Sequence, residues 1–234
     1  MMKQKLLNTL RTQWSEWRLT LFLIVFVLVP MKSSFADWNW VPSGSMNPTI
    51  LEGDLVYVNK LAYDFRIPLT LKRIDRWADP EKGDVVVVFS PDDGTRLVKR
   101  VVGTAGDLVE MRNNILFING EQLDYGPLPP ERYSGLEKEL EQQAVFAEER
   151  LGDREHAVMV IPRVVSERHS FQSVVVPEGK IFVMGDNRDV SQDSRYFGFA
   201  DREQVIGEAT GVILSFNILD WYQPRVSRFF TKLR

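Results

Sequence analysis

One long apolar segment near the N-terminus dominates the pattern of hydrophobic and polar positions. Residues 19–31 are apolar apart from Thr20. As an α-helix they would span about 20 Å, less than the roughly 30 Å hydrocarbon core of a bilayer. Because basic residues precede the segment, the pattern predicts a transmembrane anchor over 19–36 with the N-terminus in the cytoplasm. Aromatic residues suited to the membrane interface extend it on both sides: Trp14, Trp17, Phe35 and Trp38.

The residues that follow the apolar segment also fit a second interpretation. Ser34 and Ala36 are small residues at positions −3 and −1 of a potential cleavage site, as in a signal peptide that is removed. The local pattern favours a retained anchor and leaves both interpretations open. A buried core helix is a third interpretation, and the basic flank argues against it.

After Trp40 the pattern changes to short apolar runs separated by turn signals. The run of residues 85–89 after Gly83-Asp84 predicts a buried strand, and Asn113-Asn114 between two short runs predicts a hairpin. Together, the short apolar runs and the turn signals predict a mainly β, antiparallel body. The other predicted strands lie in segments 53–58, 96–102, 107–112, 115–118, 181–184 and 207–216.

Residues 127–163 interrupt this pattern. Within them, residues 136–151 are rich in Glu, Ala, Leu and Gln, a composition that favours helix. Between Glu131 and Glu155, eight acidic residues outnumber four basic ones. We interpret the segment as an inserted, solvated and partly helical excursion, with a flexible acidic loop as the alternative.

The C-terminal residues are basic and aromatic. Residues 221–234 could contact a membrane surface, but a frayed terminus is the favoured interpretation. The pattern as a whole divides the chain into a cytoplasmic N-terminus (1–18), a transmembrane anchor (19–36), a β core in two parts (37–126 and 164–220), an insertion (127–163) and the tail (221–234).

Composition excludes several kinds of site. The 234 residues include no cysteine, which excludes thiol catalysis, disulfides and cysteine-based zinc sites. The net charge of −3 provides no overall basic field for nucleic acid. His156 and His169 are the only histidines and lie outside any motif, so a histidine-centred triad would depend on one of them. We predict no metal site and no cofactor.

The segment 42–49, Pro-Ser-Gly-Ser-Met-Asn-Pro-Thr, is suited to presenting a hydroxyl on a rigid turn. A serine hydroxyl is a weak nucleophile at neutral pH and needs a positioned base. Lysine can be that base if burial lowers its pKa from ~10.4 toward 7–8. Lys99 is the candidate because apolar residues flank it in a predicted strand. Strand alternation alone, however, favours an ordinary outward-facing lysine.

A third segment, residues 185–198, is dense in Asp and Asn, as calcium loops are. The EF-hand pattern fails, because Arg188 and Val190 occupy ligand positions. We interpret the segment as a polar turn that braces an active site, in which Asp193 and Arg195 can pair and Ser191 can form a hydrogen bond. A solvated Asp/Ser turn is an equally good explanation of the local sequence.

Together these segments resemble the type I signal peptidase (leader peptidase) family. The matching stretches are 42–49, 53–58, 99–107, 176–179, 182–185 and 185–198. The resemblance covers most of the chain from Pro42 to about Phe216. It implies an antiparallel β body with an apolar face near the membrane. It also implies a serine endopeptidase that removes signal peptides with small side chains at −1 and −3 from secretory preproteins.

The resemblance further implies roles for single residues. Ser45 matches the nucleophile and Lys99 the general base. Ser43 matches the side chain that joins the Ser45 backbone N–H in the oxyanion hole, and Ser191 matches the hydroxyl that orients the lysine. Because a carboxylate beside the lysine would raise its pKa, we expect Asp193 to face Arg195 and not Lys99. The supporting charge pairs are matched by Asp193, Arg195, Arg100 and Asp186.

The expected partners are secretory preproteins, membrane lipid and the secretion translocon, with no nucleic acid. The expected location is the inner membrane, with a single pass and the catalytic part on the periplasmic side. Cleavage of the chain by itself after Ala36 is a further hypothesis. Two alternatives stay open: a specialised Ser/Lys processing peptidase of a conjugation or pilus system, and a catalytically inactive, membrane-anchored binding module.

Overall fold

The computed structural model of the protein describes residues 17–29, 34–67, 70, 72–164 and 168–233. Three α-helical segments occur in them: α1 (17–29), α2 (Lys138–Gln143) and α3 (Ser194–Phe197). Helix α1 contains a π-helical stretch at Ile24–Leu28 and exposes its apolar side chains. Within the described part of the chain, no helix combines the length and the apolar character needed to cross a bilayer. Residues 1–16 of the predicted cytoplasmic N-terminus (1–18) and residues 30–33 of the predicted anchor lie outside the described residues.

Short antiparallel strands are the main regular structure of the described chain after α1, which confirms the mainly β prediction. The strands in chain order are β1 (Ala36–Trp40), β2 (Asp54–Asn59), β3 (Asp64–Arg66), β4 (Arg73–Arg76), β5 (Val85–Phe89), β6 (Arg96–Gly103), β7 (Leu108–Arg112), β8 (Ile115–Ile118), β9 (Glu121–Gln122), β10 (Asp124–Gly126), β11 (Val145–Leu151), β12 (Arg154–Val160), β13 (Phe171–Val175), β14 (Lys180–Met184), β15 (Ala200–Asp201), β16 (Val205–Asn217), β17 (Gln223–Pro224) and β18 (Thr231–Lys232).

The largest sheet has the order β1-β2-β16-β5-β6-β14-β15, and β17 and β18 also pair with β16. Smaller sheets are β13-β7-β8-β9, β10-β11-β12 and β3-β4. Strand β5 lies between β16 and β6, and its four valines are all buried. This is why its sequence is a continuous apolar run and does not alternate. Strands β5 and β6 pair in register, with Val86 opposite Lys99 and Val85 opposite Arg100.

The insertion is partly helical, as predicted, but the helix-favouring composition of residues 136–151 gives a helix only in its first half. Helix α2 ends at Gln143, and β11 and β12 form an antiparallel hairpin that pairs with β10. Gly152, with φ +64°, occupies the turn between them. Leu151, Glu149 and Met159 are buried, so tertiary packing overrides the local helix propensity. The segment is therefore neither a flexible acidic loop nor a wholly solvated excursion.

The prediction of a frayed C-terminus is also wrong. Residues 223–233 return to the main sheet through β17, a 3₁₀ turn at Val226–Arg228 and β18. Arg225 donates hydrogen bonds to the Glu52 and Phe216 carbonyls, and Arg228 pairs with Asp54 at 2.7 Å. These side chains are directed to the protein body, while Trp221 and Phe230 remain exposed.

Strand β1 begins inside the segment predicted as anchor. Ala36 pairs with Asn59 in β2, and the neighbouring Asp37 is buried with Lys60 Nζ 3.2 Å from its carboxylate. The bond after Ala36 therefore lies within a paired strand. A protease needs an extended, unpaired segment, so the structure does not favour cleavage at this position.

Candidate active site

The candidate nucleophile lies on a tight turn that the core holds in place. A 3₁₀ turn covers Gly44–Met46, and Met46 is fully buried among the valines of β2 and β5. A Cβ atom at Gly44 would lie 2.4 Å from Glu52 Oε1 and 2.6 Å from Asn47 Nδ2, so a larger residue would have to displace these two side-chain ends. Ser45 is half-buried next to it. We refer to residues 42–49 as the nucleophile turn.

Lys99 in β6 reaches the nucleophile turn from the main sheet. Its Nζ atom lies 2.6 Å from Ser45 Oγ, and the residue is only 3% exposed. Simple strand alternation, which favours an outward-facing lysine, is wrong here because both faces of β6 are covered. Lys99 faces the nucleophile turn, and the adjacent Arg100 is buried as well, against Asp186. The burial that a lysine base requires is therefore present.

Burial lowers the pKa of Lys99 from 10.5 to about 8, since the charged ammonium loses its hydration. Asp193 and Asp186 act in the opposite direction and raise this pKa, whereas Arg195 lowers it. About a tenth of the lysine is then neutral at pH 7, and this fraction grows as the pH rises. Lys99 can accept a proton from Ser45 in that form.

Asp193 pairs with Arg195, as expected. Two hydrogen bonds of 2.8 Å join the guanidinium to both carboxylate oxygens, and both side chains are buried. Asp193 also accepts a hydrogen bond from the Gly185 backbone N–H at 3.0 Å. Its carboxylate therefore ties the two ends of the segment together, and it acts on Lys99 only through its charge. We refer to residues 185–198 as the polar loop.

Asp186 and Arg100 form a second buried pair. Arg100 Nε and Nη2 each donate to the carboxylate at 2.8 Å, and Thr49 Oγ1 donates to it at 2.5 Å. Burial favours the neutral acid, but Arg100 outweighs it, so the pKa of Asp186 is lowered. Because Thr49 belongs to the nucleophile turn, this pair joins that turn to β6 and to the polar loop.

The chain, which carries this buried serine–lysine pair on a β scaffold, is similar in sequence to a family of known peptidases. The family model described as "Signal peptidase, peptidase S26" matches residues 14–214. The chain belongs to this family. It is therefore a serine endopeptidase, and the antiparallel fold expected from the resemblance is confirmed.

Two bacterial relatives support the assignment. The "Signal peptidase I" of Pseudomonas fluorescens is 33% identical over 229 residues, covering 91% of this chain and 75% of that protein. The "Signal peptidase I" of Rickettsia felis is 32% identical over 232 residues, covering 92% of this chain and 84% of that protein. A solved structure of a signal peptidase I from Enterococcus faecalis is 32% identical, with a TM-score of 0.36, and covers 57% of this chain and 98% of that one.

Two serines expected at a signal peptidase site differ in their placement. Ser43 is exposed, has an extended backbone and immediately precedes the 3₁₀ turn. Ser191 is buried, and its hydroxyl makes no hydrogen bond of acceptable geometry with a described residue. It lies near enough to the Asp193 carboxylate to contribute to lowering the pKa of that group. The hydrogen bond to Lys99 expected from the resemblance is thus not formed in this structure.

Sequence reasoning missed Asn187. Its backbone N–H donates to the Ser45 carbonyl at 3.2 Å, and its Nδ2 donates to the Gly44 carbonyl at 3.0 Å. Its own Oδ1 accepts a hydrogen bond from Val190 N at 3.2 Å. The feature of the sequence that could have identified Asn187 is its position directly after Asp186, at the start of the polar loop. Asn187 is thus the polar-loop residue that holds the backbone of the nucleophile.

Neither histidine contacts Ser45. His156 is fully buried, with Nε2 3.2 Å from Glu149, and His169 Nε2 lies 2.8 Å from Asp189 in the polar loop. Burial first, and the charge of Arg100 second, lower the pKa of His156. Among the described residues, no group of three or more histidine, aspartate or glutamate side chains could hold a metal ion.

Proposed function

We propose that Ser45 and Lys99 form the catalytic dyad with which this signal peptidase removes signal peptides from secretory preproteins. The observation that carries the proposal is the 2.6 Å separation of Lys99 Nζ and Ser45 Oγ in a buried setting. Burial disfavours the charged form of a lysine. The neutral amine can then accept a proton from the hydroxyl that lies next to it. An inactive binding module would need neither feature.

The chemistry follows from proton transfer between these two groups. Neutral Lys99 accepts the Ser45 proton while Ser45 Oγ attacks the scissile carbonyl. Lys99 then returns the proton to the leaving amine, which releases the mature protein and leaves an acyl-enzyme. A water molecule, deprotonated by Lys99 in turn, hydrolyses the ester and restores Ser45.

An oxyanion hole at the start of the nucleophile turn would stabilise the tetrahedral intermediate. The first N–H groups of a short helical turn lack partners within the turn, so the Ser45 N–H is available to a substrate. The Ser43 side chain makes no capping hydrogen bond to the turn, so its hydroxyl is available as well. We assign the two oxyanion donors to these groups.

The free edge of β6 offers a template for the preprotein. Strand β14 pairs with β6 at Arg100, Val101 and Gly103, while β5 pairs with β6 from Arg96 to Arg100. Residues 96–98 therefore have one edge without a described strand partner. An extended peptide adding there would present alternate side chains to the same face, which groups positions −1 and −3 together.

The decisive test of this function is cleavage of preproteins by the purified full chain in detergent. We expect cleavage of preproteins with alanine at −1 and −3, and loss of cleavage when either position carries a bulky residue. A panel of unrelated preproteins distinguishes a general signal peptidase from a specialised processing peptidase. Failure to cut any of them would contradict the proposal.

The lowered pKa of Lys99 makes a prediction about pH. The base is active when neutral, so kcat/KM should rise with pH and level off above a midpoint near the pKa of about 8. An unperturbed lysine would place the midpoint about 2 units higher. The measurement is a pH–rate profile on a preprotein whose own groups do not titrate between pH 6 and 10. A midpoint at 10 or above would exclude Lys99 as a buried base.

We also propose that the chain is anchored at the inner membrane with its site on the periplasmic side. Helix α1 has exposed apolar side chains and lies a few residues before β1, where Trp38 and Trp40 are exposed. Trp40 packs against Phe216 with 6.0 Å between the ring centroids. Aromatic groups of this kind suit the headgroup region of a bilayer, so membrane lipid is the expected neighbour. The translocon stays a predicted partner.

A further inference from the structure

The sheet β10-β11-β12, called the inserted sheet because β11 and β12 lie in the insertion (127–163), is bonded directly to the polar loop. Met159 N, in β12, donates to the Asp186 carbonyl, and Arg188 N donates back to the Met159 carbonyl, both at 2.9 Å. Just beyond β12, Ile161 N donates to Asp189 Oδ2 at 2.6 Å. The insertion thus forms a parallel bridge with the loop that carries Asn187.

A buried ion pair reinforces this junction. Arg188 Nη2 donates to Glu149 Oε1 at 2.7 Å, and both side chains are fully buried. Tyr125 in β10 donates to the other oxygen, Glu149 Oε2, at 2.5 Å. Within the described chain, Arg188 Nε and Nη1 have no hydrogen-bonding partner, so Glu149 is the residue that compensates this guanidinium. The position of Arg188 therefore depends on a carboxylate supplied by the insertion.

Arg188 is adjacent to Asn187, which holds the nucleophile. The two hydrogen bonds from Asn187 to the Gly44 and Ser45 carbonyls fix the backbone from which Ser45 Oγ projects. A change in the position of Arg188 moves the peptide unit that precedes it. Displacements of about 1 Å at a reacting group are enough to reduce rates by about 100-fold.

We propose that the Glu149–Arg188 pair is a positioning device, through which the inserted sheet sets the orientation of Ser45 relative to Lys99 by way of Asn187. Glu149 and Arg188 do not touch the reacting atoms, and Lys99 keeps its own burial. The inference rests on the proposed serine–lysine function. Within that function the insertion affects kcat, and it does so without contacting the substrate.

The test compares isosteric variants in the preprotein assay. Glu149→Gln should lower kcat about 10- to 100-fold with KM and the midpoint of the pH profile unchanged. Asn187→Asp, which removes the donor to Gly44, should give a similar loss. The double variant should be no slower than the slower single variant, because both changes act along one path. Tyr125→Phe, a milder change, should lower kcat about 3-fold.

The matched control is Asp64→Asn. Asp64 is also a buried carboxylate paired with a buried arginine, Arg202 Nη1 at 2.9 Å, but its partners belong to β3, β4 and the turn before β16. The Asp64→Asn variant should have a lower melting temperature than the wild type and an unchanged kcat. Melting curves measured for every variant check that each is folded at the assay temperature.

The outcomes separate the two proposals. An active wild type in which Glu149→Gln and Tyr125→Phe lower only the melting temperature would overturn the positioning role. So would a kcat loss of equal size in Asp64→Asn, since that would reflect general destabilisation. Additive losses in the double variant would place Glu149 and Asn187 on separate paths and would also overturn it. A wild type that cleaves no preprotein would remove the proposed function, and the positioning role with it.

Discussion

Lys99→Met is expected to reduce kcat for preprotein cleavage by about 1,000-fold or more, since a general base contributes about 10²- to 10⁴-fold. Methionine fills the space of the lysine stem and leaves the packing of β6 intact. The Ser45 hydroxyl then keeps its place in the turn and loses the group 2.6 Å away that can take its proton. Single-turnover kinetics measure the loss in the acylation step directly.

Lys99→Arg separates charge from basicity. Arginine retains a positive charge, but its guanidinium stays protonated near neutral pH and cannot accept a proton. We therefore expect it to be as inactive as Lys99→Met. If a positive charge beside Ser45 were sufficient for catalysis, Lys99→Arg would keep much of the activity, and the assignment of Lys99 as base would be wrong.

The control for these variants is another lysine. Lys82 Nζ lies 3.0 Å from Asp107, a pair outside the site, so Lys82→Met should leave kcat within about 2-fold of the wild type. Ser45→Ala should match the loss in Lys99→Met. The double variant should be no slower than either, because a nucleophile and its base act as a unit. Full activity in either single variant would contradict the dyad.

Local sequence predicted the site only where a segment has an unusual composition. The nucleophile turn carries two prolines, a glycine and two serines in eight residues, a mixture typical of turns. The strand of Lys99 was equally recognisable. The direction in which Lys99 points was not, because it depends on the nucleophile turn covering one face of β6 and Asp186 lying against the other.

The insertion shows why other parts could not be predicted. Glu149 belongs to a segment whose acidic residues favour a solvated helix, yet its partner Arg188 lies 39 positions further along the chain. A buried charge looks in sequence like a surface charge, because only the tertiary partner distinguishes them. For the same reason Asn187 had no assigned role: its partners Gly44 and Ser45 precede it by more than 140 residues.

The buried charge pairs give the site its electrostatic setting. Lys99 is a buried base flanked by two carboxylates that raise its pKa and a guanidinium, Arg195, that lowers it. Each carboxylate is hydrogen-bonded to an arginine, Asp186 to Arg100 and Asp193 to Arg195. This arrangement weakens the pull of the carboxylates on the proton while keeping the net local charge small. The pairs thus do two things: they stabilise the polar loop and they set the pH range of the base.

Asp193→Asn tests both consequences at once. Removing one partner of a buried ion pair costs about 3–5 kcal/mol of unfolding free energy, because Arg195 stays buried without its carboxylate. Urea unfolding measures this loss. The matched control is Asp201→Asn, which breaks a partly exposed pair with Lys180 and should change stability by no more than about 0.5 kcal/mol.

The pH dependence of that loss has a definite sign. Burial raises the pKa of Asp193, but Arg195 outweighs it, so the folded-state pKa lies below the usual value. The stability that Asp193 contributes is therefore present above its unfolded pKa of about 3.9, and it disappears as the pH falls through the folded value. Wild type and Asp193→Asn should accordingly differ most at neutral pH and converge in acid.

Activity should shift in Asp193→Asn as well. The carboxylate of Asp193 raises the pKa of Lys99 and Arg195 lowers it, so replacing the carboxylate by an amide removes the first influence and leaves the second. The midpoint of the kcat/KM profile should then move to lower pH in the fraction of enzyme that remains folded, whereas Asp201→Asn should leave it in place. A midpoint that stays in place would mean that Asp193 does not act on Lys99 through its charge. Greater access of water to Lys99 would instead raise its pKa and move the midpoint upward. Measuring the profile in Ser191→Ala, which changes no charge beside Lys99, separates the effect of hydration from that of the carboxylate.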